Sequence, residues 1–179
     1  MAEGLLLTFL AAIALTRRDR PMPMELNIRE YRESDAEVLA NLYFESVHRG
    51  TEKYYSREQR EAWAPSVPDA EKLASRLSKM TVLVAEDETG VVGFMTVDET
   101  GYIDLAFVRP DRIRTGVASE IYKQIEMASK ESGQTRLFSN ASELAKPFFE
   151  KHGWTVSRTQ QVERHGVMMT THRMEKRMT

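Results

Sequence analysis

Residues 108–120 read VRPDRIRTGVASE. They join an apolar, strand-like run, GYIDLAFV at 101–108, to an amphipathic helix pattern that begins near Gly116. Between the two lie arginines at 109, 112 and 114 and a single glycine. A proline and several charges suit an ordinary solvated loop. They equally suit an anion site, because the first N–H groups of a helix have no partner within it and its dipole places about half a positive charge there. Phosphate is the usual guest of such a site. The stretch alone leaves both readings open, and the segments around it decide between them.

Upstream, Leu26 to Tyr31 alternates as a first strand, and Ser34 with Glu37 forms a capping box ahead of Val38, Leu39, Leu42, Tyr43 and Val47. A second box, Ser56 with Gln59, opens the helix REQREAW, which ends before Pro65. Asp69 starts a third helix with Leu73 and Leu77 on one face. TVLVAED, VVGFMTVD and GYIDLAFV follow as three antiparallel strands, separated by ETG turns at 88–90 and 99–101 in which glycine supplies a positive φ. After the quoted loop, Val117, Ile121, Ile125 and Ala128 recur at helical spacing, and Gly133 marks the stop. TRLFSN is a short strand, SELAKPFFEKHG a helix ending at Gly153, and two more strands flank the His165–Gly166 turn. The predicted order is β-α-α-α-β-β-β-α-β-α-β-β.

A chain of 179 residues with 41% hydrophobic side chains suits one domain with its own core. Its 25 basic and 27 acidic side chains are intermixed, so no field points to nucleic acid as a partner. With no cysteine, disulfides, thiolate nucleophiles and zinc–sulfur sites are excluded, and a reducing cytoplasm is the fitting compartment. His48, His152, His165 and His172 show no metal-ligand spacing, so no metal is expected. GLLLTFLAAIAL at 4–15 is a twelve-residue uncharged run, short of the roughly 20 residues of a membrane helix. Glu3 precedes it and Arg17, Arg18 and Arg20 follow it, the reverse of a secretory signal. On this reading translation starts at Met22 or Met24. Residues 1–23 are then an extension outside a domain spanning 24–179, and no membrane association is expected.

The element order, with the quoted loop after the fourth strand, resembles the GNAT superfamily of N-acetyltransferases over residues 26–176. That family carries Gln/Arg-x-x-Gly-x-Gly/Ala between its fourth strand and the next helix. Here Gly116-Val117-Ala118 fills the last three places, while Ile113, between Arg112 and Arg114, stands where Gln or Arg is usual. The family's Asn-x-x-Ala-x-x-x-Tyr-x-x-x-Gly-Phe becomes Ser142, Ala145, Phe149, Gly153 and Trp154. The fold implied is α+β: a central mixed, mostly antiparallel sheet flanked by helices.

The resemblance implies acetyl-CoA as co-substrate. Its diphosphate would lie on the amides of Arg114, Thr115, Gly116, Val117, Ala118 and Ser119, with Arg112 or Arg114 as the side-chain partner. Its pantetheine arm would pair along Ala106, Phe107 and Val108, with a hydrogen bond from Ser142. Phe149 lines the same site but lacks the hydroxyl with which the family's tyrosine is thought to protonate the leaving thiolate. An acceptor amine of pKa about 10.4 must lose a proton before it attacks. Asp104, two residues before Ala106 and so on its face of the strand, is the candidate base, or else a purely structural acceptor. The acceptor side falls on HRGTEKYYSREQREAWAP at 48–65, where Tyr54 or Tyr55 supplies the missing acid or packs on the sheet; Tyr55 is the candidate taken. His172 faces the same cleft or is structural.

The implied activity is acetyl transfer to a small-molecule or protein amine by direct attack in a ternary complex. A non-catalytic acetyl-CoA-binding regulatory module is the alternative, favoured by the two changed motif positions. Nucleotide hydrolysis is excluded because no Gly-Lys-Ser/Thr follows the loop. The acceptor and the oligomeric state, a homodimer included, stay open.

Overall fold

The structure, a computed structural model, describes residues 25–178. The expectation for residues 1–23 lies outside the described residues. The elements follow the predicted order: β1 (Asn27–Glu30), α1 (Ala36–Glu45), α2 (Arg57–Trp63), α3 (Ala70–Leu77), β2 (Thr81–Asp87), β3 (Gly90–Val97), β4 (Ala106–Val108), α4 (Val117–Glu131), β5 (Arg136–Ala141), α5 (Lys146–Lys151), β6 (Thr155–Arg164) and β7 (Val167–Arg177). Two antiparallel sheets result, ordered β1-β2-β3-β4 and β5-β7-β6.

Both faces of β2 are covered, which is why it reads as an apolar run without alternation. Val82 and Val84 pack with Leu39, Leu73, Leu77 and Phe94 under α1 and α3. Leu83 and Ala85 pack with Val117, Ile121 and Ile125 of α4 on the other side. The Ser56–Gln59 box forms as predicted, with Gln59 N–H donating to Ser56 Oγ at 3.2 Å and Ser56 N–H to Gln59 Oε1 at 3.0 Å. The Ser34–Glu37 box does not form. Instead Asp35 accepts from Arg32 N–H at 2.7 Å and is held by Arg29, so a 3-10 turn over Glu33–Asp35 leads into α1. A carboxylate with a nearby guanidinium outcompetes a hydroxyl for that turn.

Among the described residues the sheets are bridged at one point. Tyr102 bridges Phe138 in parallel, with Ile103 N–H donating to Phe138 O at 2.8 Å and Phe138 N–H to Gly101 O at 3.0 Å. A Cβ at Gly101 would lie 2.2 Å from Arg136 O, so the junction requires glycine. Beyond it β4 and β5 pair with different neighbours and a groove opens between them. The predicted strand GYIDLAFV is accordingly interrupted. Leu105 N–H donates to Thr96 Oγ1 while Leu105 O accepts from Thr96 N–H, and only Ala106–Val108 continues as strand. Among the described residues no helix is long and apolar enough to cross a membrane.

Candidate active site

The groove between β4 and β5 encloses about 660 Å³. One wall is β4. Thr96 N–H to Leu105 O and Arg109 N–H to Val92 O are both bonds toward β3, and antiparallel pairing alternates. The amide and carbonyl of Ala106 and the amide of Val108 therefore point away from β3, into the groove. Val108 O is already taken by Ser46 Oγ at 2.9 Å. Three open backbone groups remain, the pattern that an extended, amide-bearing chain would satisfy as an added strand. Phe107 lines the groove from the α1 side.

One end is the loop that opens α4. After a 3-10 turn at Pro110–Arg112, Arg114 takes φ 67° and Gly116 φ 101°. These two left-handed residues turn the chain so that α4 starts with its amides facing out, the αL geometry that glycine adopts at least cost. The first helical bond is Glu120 N–H to Gly116 O. Among the described residues the N–H groups of Arg114, Gly116, Val117, Ala118 and Ser119 have no backbone acceptor, and no side chain caps the helix. Thr115 is the exception to the predicted cradle, since its amide donates to Arg112 O at 3.3 Å. Val117 contributes only its amide, because its side chain is buried in the core. Ser119 Oγ pairs with His152 Nε2 at 3.2 Å. Burial, followed by the charges of Lys176 and Lys151, lowers the His152 pKa and so disfavours the charged ring.

The two arginines divide the work. Arg112 is committed to carboxylates, donating to Asp87 Oδ2 at 2.8 Å and Asp111 Oδ2 at 2.8 Å, and so clamps the loop. Arg114 is exposed and, among the described residues, has no carboxylate within 4.0 Å. Of the two predicted phosphate partners, Arg114 is the free one. Ile113, at the divergent motif position, packs toward the turn at Gly50.

Asp87 has no exposed side-chain surface. Burial alone would raise its pKa, but hydrogen bonds from Thr89 and the Arg112 guanidinium outweigh burial and hold it down at about 2. The sign follows: a depressed carboxylate stabilises the fold above its unfolded pKa of about 3.9, and that contribution is lost as pH falls toward about 2. Asp87→Asn is expected to flatten this acid limb of the unfolding curve, read by denaturant titration across the range. It is also expected to weaken acetyl-CoA binding about tenfold by loosening Arg112, a loss of about 1.4 kcal/mol.

On the far wall, Ser142 lines the groove and its Oγ accepts from Ala145 N–H at 3.1 Å. Phe149 is 1% exposed and stacks with Trp154 at 4.5 Å, forming apolar floor. Two predicted catalytic placements are corrected. Tyr55 does not line the groove: it is buried, its hydroxyl donating to Thr170 O at 3.1 Å and accepting from Glu143 N–H at 3.0 Å. The neighbouring Tyr54 lines it instead, beside Trp63. Asp104 does not share the face of Ala106 and Val108, because the interruption at Leu105 inverts the alternation. Its carboxylate faces α3 and is ion-paired with Arg76, while Ala106 and Val108 pack on the α4 side. His172 is buried, bonded to Thr159 Oγ1 at 3.0 Å and Glu143 Oε1 at 3.0 Å. Sequence reasoning missed Ser46 and Arg76. Neither sits in a motif, and each acts on a residue far along the chain.

The donor set is suited to an anionic diphosphate at α4 and an amide-bearing arm along β4. The model of the "Acetyltransferase (GNAT) domain" family matches residues 51–177. The chain is 34% identical over 145 residues to the uncharacterized N-acetyltransferase YafP of Escherichia coli K12, covering 81% of this chain and 91% of that protein. A solved GCN5-related N-acetyltransferase from Rhodopseudomonas palustris superposes with TM-score 0.81 at 31% identity, over 88% of this chain and 99% of that one. PaiA N-acetyltransferase from Thermoplasma acidophilum, solved with coenzyme A, shares the fold with TM-score 0.71 at 20% identity, over 86% and 99%.

Proposed function

The chain belongs to the GNAT family of acetyl-CoA-dependent N-acetyltransferases, and we propose that it transfers the acetyl group to an amine by direct attack in a ternary complex within the β4–β5 groove. The observation that carries this reading is the set of unpartnered amides at Arg114 and Gly116–Ser119, in line with the outward backbone groups of Ala106 and Val108. Bound acetyl-CoA supplies a thioester carbonyl that an amine can attack. The α4 amides and Arg114 hold the diphosphate, and Ala106 and Val108 align the arm. Asp104, which faces α3 and does not line the groove, takes through one water the proton that the ammonium must lose before its nitrogen forms the new amide bond and displaces the thiolate. The pairing with Arg76 fixes that carboxylate while leaving it acceptor sites to spare.

The departure from the family pattern at Phe149 is tolerable chemically. Phe149 offers no proton, but a thiol of pKa about 8.5 leaves as thiolate near neutral pH with little assistance. Tyr54, not Tyr55, is the tyrosine of the groove wall and our candidate for any proton that is needed. Positioning the amine against the thioester is worth roughly 7–11 kcal/mol in favourable cases, so alignment carries more of the rate than any single acid. The cysteine-free composition supports a cytoplasmic setting. The test is release of free thiol from acetyl-CoA with an amine panel, varying both substrates. Intersecting double-reciprocal lines are expected, and parallel lines would contradict direct transfer.

A further inference from the structure

The face of the second sheet next to Asp104 carries an excess of positive charge. Alternation and register place Arg158, Gln160, Val162 and Arg164 of β6 on one face with Met169, Thr171 and Arg173 of β7 and Phe138 and Asn140 of β5. Arg173 lies directly opposite Arg158 across the β6–β7 pair. Like charges in that position destabilise a sheet, so the pair needs a compensating partner. Of the β5–β7 residues on this face only Glu175 is acidic, and it lies 3.6 Å from Arg136. Among the described residues none of Arg158, Arg164 and Arg173 has a carboxylate within 4.0 Å.

This face adjoins, through the Tyr102–Phe138 bridge, the segment that leads into β4, one wall of the groove. The Arg173 guanidinium lies 4.2 Å over the Phe138 ring and 5.9 Å from that of Tyr102. Asn140 Nδ2 donates to Tyr102 Oη at 3.2 Å. Tyr102 precedes Asp104 by two residues, and Tyr43 packs at 4.8 Å against Phe107, which lines the groove. The turn of the β6–β7 hairpin, next to Arg164, is held against α2, with His165 Nδ1 bonded to Ala62 O at 2.8 Å, and Tyr43 Oη donates to Trp63 O of the same helix at 3.4 Å. Stacking on two aromatic rings holds the Arg173 fork in place, the arrangement suited to planar, bidentate binding of an acid.

Resting on the acetyltransferase reading above, we propose that the acceptor is a primary amine that also carries an acidic group, and that Arg173, with Arg158 opposite it, binds that group. The acid neutralises the unpaired arginines, and the amine is left to face Asp104. Carboxylate and phosphate share this chemistry.

The test measures kcat/KM for thiol release with matched pairs: L-phenylalanine and L-phenylalaninamide, 4-aminobutyrate and 4-aminobutanamide, O-phosphoethanolamine and ethanolamine. The expected result is a preference of about tenfold or more for an acidic member, expressed in KM. Which acidic member leads separates a carboxylate from a phosphate. The amino-acid amide carries the less basic amine, so intrinsic reactivity runs against that preference. In Arg173→Gln and Arg158→Gln the ratio should fall toward one. Each substitution relieves a like-charge pair, although Arg173→Gln also loses the stacking on Phe138, and the melting temperature checks that the fold is kept. Equal or better use of the neutral members, no use of the acidic ones, or a preference that survives both substitutions would overturn the inference. Acetyl-CoA titrated in parallel separates the two readings, because binding without acid preference removes only this inference, whereas no binding removes the acetyltransferase site itself.

Discussion

Gly116→Glu is expected to abolish measurable acetyl-CoA binding, raising Kd by about a hundredfold or more, which corresponds to about 2.7 kcal/mol. Gly116 is the N-cap of α4 at φ 101°, and a Cβ there would meet nothing within 4 Å. The substitution therefore causes no clash. It adds backbone strain of about 1–3 kcal/mol and places a carboxylate among the amides of Gly116–Ser119, where the diphosphate would lie. An acidic side chain at a helix N-terminus favours the helix itself, so loss of binding would not reflect loss of fold. Gly116→Ala separates the two effects: it carries the strain without the charge and should weaken binding by less than about tenfold. Calorimetric titration of both variants, with circular dichroism to check the fold, decides the matter. A glutamate variant that binds within a few-fold of the parent would remove the loop as the diphosphate site.

Asp104→Asn is expected to lower kcat by about a hundredfold near neutral pH, the low end for loss of a general base. Acetyl-CoA affinity should stay within about twofold. Asparagine is isosteric and still offers an oxygen to Arg76, so the packing between β4 and α3 is preserved. The defect should shrink as pH rises toward the acceptor's own pKa of about 10.4, where solvent removes the proton instead. The pH–rate profile measures this. A profile parallel to that of the parent would leave Asp104 a structural partner of Arg76.

What the sequence disclosed, and what it hid, divides along the range of the interactions. The element order, the Ser56 cap, the ETG turns and the loop before α4 are local patterns, set by residues within a few places of one another. The helix start at Gly116 was legible because one glycine between a strand and an amphipathic run leaves few alternatives. Long-range pairings escaped. Nothing in YIDLAFV announces that Thr96 on β3 captures Leu105 and so turns Asp104 toward Arg76, 28 residues away. Tyr54 and Tyr55 are equivalent on sequence, and their roles separate only because β7 and the Glu143 loop claim the hydroxyl of the second. Arg112 and Arg114 likewise differ through Asp87, on a different strand, and Asp111, both of which pair with Arg112. The positive face of β6 and β7 depends on register, which alternation alone does not supply.

The most direct test of the central claim is the melting temperature of the full chain with and without acetyl-CoA at about 100 times Kd. One-site binding to the native state should add about 2.7 kcal/mol there, a rise of several degrees, and the rise should vanish in Gly116→Glu. Acetyl-CoA that leaves the melting temperature unchanged, or that shifts parent and variant equally, would contradict a diphosphate cradle at the start of α4.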